Sequence, residues 1–246
     1  MEYETFAFVY DEIMDDSLYD QWLDFTCRHA KGRKQLLELA CGTGILALKL
    51  AQAGFSVTGL DLSYEMLSVA SERFNEAFGE ADNLIQLTQG DMMDLSEVGH
   101  YDLVTCYSDS LCYMKDALEV QQVFDEVHRV LNADGRFIFD VHSPHKIESV
   151  FPEFSFHEET DDYAFLWDSY PDKEPLSIVH ELSFYVKNKQ GTFDRYLEDH
   201  HERTYHIDHY LMMLEAAGFS HVEVYADFSD EKPHETSERL FFVCDK

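Results

Sequence analysis

Apolar and polar positions along this chain switch between two periods, and the switches predict its elements. Leu36, Leu37 and Leu39 form a short apolar run, and Ile45 to Ala53 beyond it is rich in strong helix formers with one apolar face. The succession recurs. A β-rich run over Val57 to Leu62 precedes a helix over Tyr64 to Phe74, and Tyr101 to Tyr107 precedes a helix over Phe124 to Leu131. Asn132 to Arg136 reads as a turn into a strand that ends near His142. Strands that alternate with helices predict a parallel sheet built through right-handed crossovers.

Two stretches break this rhythm. Residues 1–34 read as two helical pieces, with Phe6, Val9, Tyr10, Ile13 and Met14 on one face of the first and Leu18, Trp22, Leu23 and Phe25 on the second. Residues 145–206 alternate with period two instead: Tyr163 to Trp167, Ile178 to Val186 and Thr192 to Tyr205 predict three antiparallel strands, separated by Pro171 to Pro175 and Asn188 to Gly191. Such a sheet would roof the carboxyl edge of the core, where open α/β folds bind ligands. Its aromatic and histidine side chains Phe165, Trp167, His180, Tyr185, Tyr196, His201 and Tyr205 are candidates for substrate contact, and alternation sends about half of them away from the cleft. A helix over His209 to Ala217 closed by Gly218 follows, then strands over Val222 to Ala226 and Leu240 to Cys244.

The chemistry concentrates where the first strand meets the first helix. Gly42 and Gly44 let the backbone turn sharply and approach a ligand with no Cβ in the way, and free N–H groups at a helix start favour an anionic group. Gly42, Gly44 and Ala47 also satisfy G-x-G-x-x-G/A, which a nicotinamide dinucleotide site would use. Asp61, at the end of the second strand, suits two adjacent ribose hydroxyls and supports an adenosine ligand without naming it.

Composition narrows the partners. The 246 residues carry 49 acids against 18 Lys and Arg, a formal net charge of −31, and no basic stripe. Nucleic acid would be repelled. No transmembrane run appears, and MEYETFAFVYDE lacks a basic region followed by an apolar stretch, so a cytoplasmic protein with no membrane partner is expected. Five cysteines, none at C-x-x-C spacing, predict reduced thiols.

Five segments in order carry a family resemblance. Glu38-Leu39-Ala40-Cys41-Gly42-Thr43-Gly44, Val57 to Ser63, Gln89-Gly90-Asp91-Met92-Met93-Asp94-Leu95, His100 to Tyr107 and Asn132 to His142 resemble the motifs of class I S-adenosylmethionine-dependent methyltransferases. Phe6 to Asp11 is similar to the N-terminal segment of small-molecule N-methyltransferases, which folds over the cofactor as a lid. The resemblance implies a Rossmann-like α/β fold: a seven-stranded, mostly parallel sheet with a C-terminal antiparallel hairpin, formed by 1–144 and 207–246 with a lid over 1–34, and a substrate-facing β insertion over 145–206. It implies S-adenosyl-L-methionine as cofactor, held by Tyr10, Glu38, Ala40, Cys41, Gly42, Gly44, Asp61, Leu62, Met66, Asp91, Met92 and Tyr107, with Asp91 and Met92 serving the adenine. Cys41 packs under the loop and is not a nucleophile. The N-terminal segment has no arginine to pair with a carboxylate, so a glycine-type substrate does not carry over.

The implied reaction is in-line displacement of the methyl group by a small-molecule N or O nucleophile, for which proximity does most of the work. His142, at the end of the fifth strand, is the expected general base, and Tyr107 and Asp109 orient the acceptor or shape its pocket. No metal site is expected: His200, His201, His206 and His209 cluster in sequence, but neighbours on a strand face opposite ways. Tyr185 and Lys189 have Y-x-x-x-K spacing, but lie on an alternating run. Two other readings stay open, an NAD-dependent oxidoreductase and a non-catalytic module that binds cofactor or a partner. A homodimer is compatible with all of them.

Overall fold

The computed structural model describes residues 16–79 and 85–246. Helix α1 (Asp16–His29) leads into β1 (Gln35–Leu39), α2 (Ile45–Gln52), β2 (Ser56–Asp61), α3 (Tyr64–Phe78) and β3 (Ile85–Gln89). Then come β4 (Tyr101–Cys106), a 3-10 turn (Ser110–Tyr113), α4 (Ala117–Val130) and β5 (Leu131–His142). After a π turn (Lys146–Val150), strands β6 (Ser155–Glu159), β7 (Tyr163–Pro171), β8 (Ser177–Lys187) and β9 (Phe193–Arg203) precede α5 (Ile207–Ala217), β10 (His221–Ala226) and β11 (Arg239–Asp245).

The main sheet has seven strands in the order β10-β11-β5-β4-β1-β2-β3. Strands β1 to β5 pair in parallel, and β11 runs antiparallel between β5 and β10. Successive side chains bury on opposite faces. Leu37, Val104, Phe137, Phe139 and Phe242 join α4 and α5 in one apolar layer, while Leu36, Leu103, Ile138 and Phe241 join α1, α2 and α3 in the other. Helices on both faces are the reason these strands read as continuous apolar runs.

Gly44 is fixed by packing as well as by turn geometry. It has φ +77°, and a Cβ there would stand 2.6 Å from the Phe74 ring and 2.9 Å from Ala70 Cβ. The start of α2 can thus press against α3 only without a side chain. Gly218 closes α5 at φ +104°, the left-handed cap that the sequence predicts.

The insertion forms a separate antiparallel sheet of four strands, β6-β7-β8-β9, not three. The added strand, Ser155–Glu159, carries polar and acidic residues on a mostly exposed edge, so its sequence lacks the strong apolar alternation of its neighbours. Register assigns the faces. The rows Phe165–Phe184–Tyr196, Trp167–Leu182–Glu198 and Ser169–His180–His200 lie on one side, and Ile178 pairs with Glu202 beyond them. Tyr185 and His201 fall on the other side.

Candidate active site

The carboxyl ends of β1 and β2 build the first half of the site. Ala40 and Gly42 have φ +53° and +54°, and the chain between them bends so that Cys41 N–H donates to Leu60 O at 3.0 Å. The Asp61 carboxylate accepts from Gly42 N–H at 2.7 Å and from Ser63 N–H at 2.9 Å, one amide on each oxygen. Helix α3 is capped by Ser63, whose hydroxyl accepts from Met66 N–H, so Asp61 is not needed as its cap. Each Asp61 oxygen keeps a lone pair for a further donor.

Glu38 is the signal in this loop that the sequence motif carries but does not explain. Its side chain is 4% exposed, and its Oε2 has no hydrogen-bond partner among the described residues. Burial, reinforced by the nearby Asp61 charge, pushes its pKa up to about 8. A buried carboxyl with a bare oxygen suits a cationic amine, which would satisfy it and draw it into its charged form. It lines a small cavity with Ala40, Cys41, Gly42, Tyr107 and Trp22. A Cβ on Gly42 would meet nothing within 4 Å, so that face of the loop is open.

The remaining cofactor candidates are distributed around this loop. Leu62 is 70% exposed just past β2, and Met66 with Ser63 borders a cavity of about 830 Å³. Asp91 follows β3 and accepts from Met93 N–H at 2.8 Å, while Met92 packs against the core. Cys41 is buried, its thiol pushed up by burial, in agreement with a packing role. Tyr10 lies outside the described residues.

A buried charge cluster forms the second half, beyond β4 and β5. Ser108 and Asp109 adopt φ +54° and +50°, two consecutive left-handed residues that swing the Asp109 side chain back toward β5. His142 Nε2 lies 3.2 Å from Asp109 Oδ2 and 3.3 Å from Glu202 Oε2, which descends from the roof on β9. Arg239, on β11, reaches Asp109 at 2.6 Å and Asp140 at 2.7 Å. Asp140 also accepts from Trp22 Nε1 at 2.8 Å, tying α1 into the cluster. Behind Glu202, His180 Nδ1 is engaged by Trp167 Nε1 and Ser169 Oγ, leaving its Nε2 to face Glu202 at 3.7 Å.

This geometry corrects the protonation expected of His142. Burial opposes its charge, but the charges and hydrogen bonds of Asp109 and Glu202 outweigh burial and raise its pKa to about 9. The ring is therefore an imidazolium at neutral pH and has no lone pair for an acceptor's proton. Asp109 is held well below the usual carboxylate range: burial would raise it, and His142 and Arg239 prevail. The donor atoms of Asp109, His142 and Glu202 lie within 4.8 Å of one another, close enough to share one cation, and the proton on His142 supplies that charge.

Tyr107 lines the small cavity beside Glu38. It is 4% exposed, its hydroxyl is hydrogen-bonded to Thr26 Oγ1 at 2.8 Å, and its ring stacks on Trp22. It forms a wall under the glycine loop. Sequence reasoning passed over Glu202, Arg239 and Asp140, because strand pairing and the β9 roof alone bring them to the His142 cluster. Of the roof candidates, Trp167, His180 and Tyr196 share the face that meets the core, whereas His201 bonds Asp172 on the opposite side.

Comparison with known proteins agrees with this arrangement. Residues 36–135 match the model of the methyltransferase domain family. The chain is 41% identical, over the whole of both chains, to GWCH70_2453 of Geobacillus sp. (strain WCH70), which carries methyltransferase in its name. It superposes with a TM-score of 0.83 on an S-adenosylmethionine-dependent methyltransferase from Clostridium acetobutylicum ATCC 824, at 27% identity with 99% of this chain and 98% of that one covered. The fold is shared with the sugar N-methyltransferase KedS8 from Streptoalloteichus sp ATCC 53650, at TM-score 0.76, 21% identity, and coverage of 97% and 91%. No described helix is long and apolar enough to cross a membrane. With 41% identity over the whole chain to a methyltransferase relative and this mixed seven-stranded sheet, the chain belongs to the class I S-adenosylmethionine-dependent methyltransferases.

Proposed function

We propose that the protein methylates a small polar acceptor, through a nitrogen or oxygen nucleophile, in the cleft between the 3-10 turn and the inward face of β9. The observation that carries this reading is the cluster Asp109, His142, Glu202 and Arg239, which places fixed charges beside the cofactor loop under a roof of four strands. Bound there, S-adenosylmethionine supplies an electrophilic methyl group.

The chain's own contribution is to hold and orient. Glu38 and Asp61 fix the amino and ribose ends of the cofactor, with Leu62, Met66, Asp91 and Met92 placed to enclose its adenosine. His142, as a donor, and Asp109 and Glu202, as acceptors, align the acceptor's polar groups, and the roof excludes water. The fold shared with the sugar N-methyltransferase KedS8 is compatible with a nitrogen acceptor here.

The test uses methyl-labelled S-adenosylmethionine and a cell extract freed of its own cofactor. Label entering acid-soluble small molecules supports the reading. Label recovered only in precipitated protein or nucleic acid would replace the small acceptor with a macromolecule.

A further inference from the structure

A second line of polar groups runs along the inward face of β9, in the open part of the cleft. Tyr113 ends the 3-10 turn after β4, and its Oη lies 2.9 Å from His200 Nδ1. On the far side of the same ring, His200 Nε2 lies 2.9 Å from Glu198 Oε2. Glu198 and His200 are two residues apart on a strand, so they share one face with Glu202. A carboxylate accepts only. It therefore fixes the imidazole proton on Nε2, leaves Nδ1 as the acceptor, and makes the Tyr113 hydroxyl the donor. Carboxylate, imidazole and hydroxyl in this order form the arrangement by which a hydroxyl is made basic.

The surroundings of this line differ from those of His142. Tyr113 is 45% exposed and borders the cavity of about 830 Å³, whose opposite wall is Ser63 and Met66. Those two residues belong to the first turn of α3, which follows Asp61, so the cavity extends from Tyr113 to the segment beyond β2. Arg195, Asp199 and His201, on the other face of β9, border the same space at the sheet's edge, and His180 stands across the ladder from His200. His142, by contrast, is 5% exposed and already carries the proton shared with Asp109 and Glu202.

We propose that Tyr113 accepts the proton of the methyl acceptor, with His200 taking up the phenol's own proton and Glu198 positioning the ring. The proposal rests on the methyl-transfer reading above. As the acceptor's nitrogen or oxygen bonds to the methyl carbon, the carbon–sulfur bond breaks and its electron pair stays on sulfur. The acceptor's proton passes to Tyr113 Oη, and the proton on Oη passes to His200 Nδ1. The positive charge lost from sulfur reappears as the imidazolium of His200 beside Glu198, so atoms and charge balance. Tyr113 is thus a catalytic residue, while His200 and Glu198 are positioning residues that act through it.

The test has two arms on the full chain. Nitrogen NMR of histidine-labelled protein, alone and with S-adenosylhomocysteine, reads the tautomer, and His200→Gln identifies the resonance. The relay requires a bare Nδ1 and a protonated Nε2 in both states; Glu198→Gln should mix the tautomers, and Tyr113→Phe should move the Nδ1 shift alone. A proton found on Nδ1 overturns the proposal. Single-turnover transfer to a panel of small amines and alcohols is the other arm. Tyr113→Phe and His200→Gln should slow the step at saturating acceptor by roughly a hundredfold or more, with acceptor KM and S-adenosylhomocysteine affinity retained. A change in KM alone makes Tyr113 a binding residue and defeats the proposal. Failure of the unsubstituted protein to bind S-adenosylhomocysteine would instead strike the methyl-transfer reading, which the tautomer measurement does not depend on.

Discussion

His142 Nε2 stands 3.2 Å from Asp109 Oδ2, with Glu202 at 3.3 Å from the same nitrogen, so one buried imidazolium faces carboxylates from beyond β4 and from β9. The folded pKa of about 9 exceeds the ordinary value of 6.5. The stabilisation is therefore complete below about pH 6.5 and is lost as pH rises through about 9. Thermal unfolding of the cofactor-free protein should show melting falling over that window. In His142→Ala two carboxylates lose their shared cation, which should cost about 3–5 kcal/mol. Adding Glu202→Gln to that variant should recover part of the loss in urea titrations, because it removes one uncompensated charge.

Glu38 predicts a proton released on cofactor binding. At neutral pH its carboxyl, with a pKa of about 8, is mostly protonated in the empty loop. An amine cation beside it favours the carboxylate. Calorimetry of S-adenosylhomocysteine in buffers of different ionisation enthalpy should detect release of about one proton, absent in Glu38→Gln. An equal release in that variant would assign the proton elsewhere.

Gly42 and Gly44 should fail in different ways. Gly44→Ala drives a methyl into Phe74 and Ala70 at a left-handed position, so a stability loss of about 1–3 kcal/mol is expected. Gly42→Ala meets no neighbour. It should cost about 1–2 kcal/mol for its backbone conformation and weaken S-adenosylhomocysteine disproportionately, through the methyl group on the open face of the loop. Parallel denaturation and calorimetry separate the two effects.

Arg239 joins Asp109 to Asp140 and lies over the Trp22 ring at 5.5 Å. Arg239→Met leaves buried Asp140 without its cation and Asp109 with His142 alone, and should lower stability by about 3–5 kcal/mol. Arg239→Lys keeps the charge but loses the fork that spans both acids, so an intermediate value is expected in the same urea experiment.

Much of the core was legible in the sequence because each signal there is local. The apolar runs Leu36 to Leu39 and Phe137 to Val141, the glycines at 42 and 44, and Gly218 declare strand, turn and cap by their own conformational preferences. Asp61 was placed by its position at a strand end. Ser155–Glu159 was not legible, since its place in the sheet comes from pairing with β7 and not from its own apolar pattern.

The sequence by itself determined the alternation of strands and helices in the core, the glycine turn and the family, because backbone torsions and side-chain periodicity act over a few residues. Tertiary structure alone decided the chemistry of the cleft. Glu202 reaches His142 across 60 residues of chain, and Arg239 reaches Asp109 across 130, so neither contact leaves a mark in local spacing. His142 read alone suggests a base, because an isolated imidazole titrates near neutrality. Enclosed by two carboxylates away from water, it keeps its proton, and that reversal arises from charges that only folding brings together.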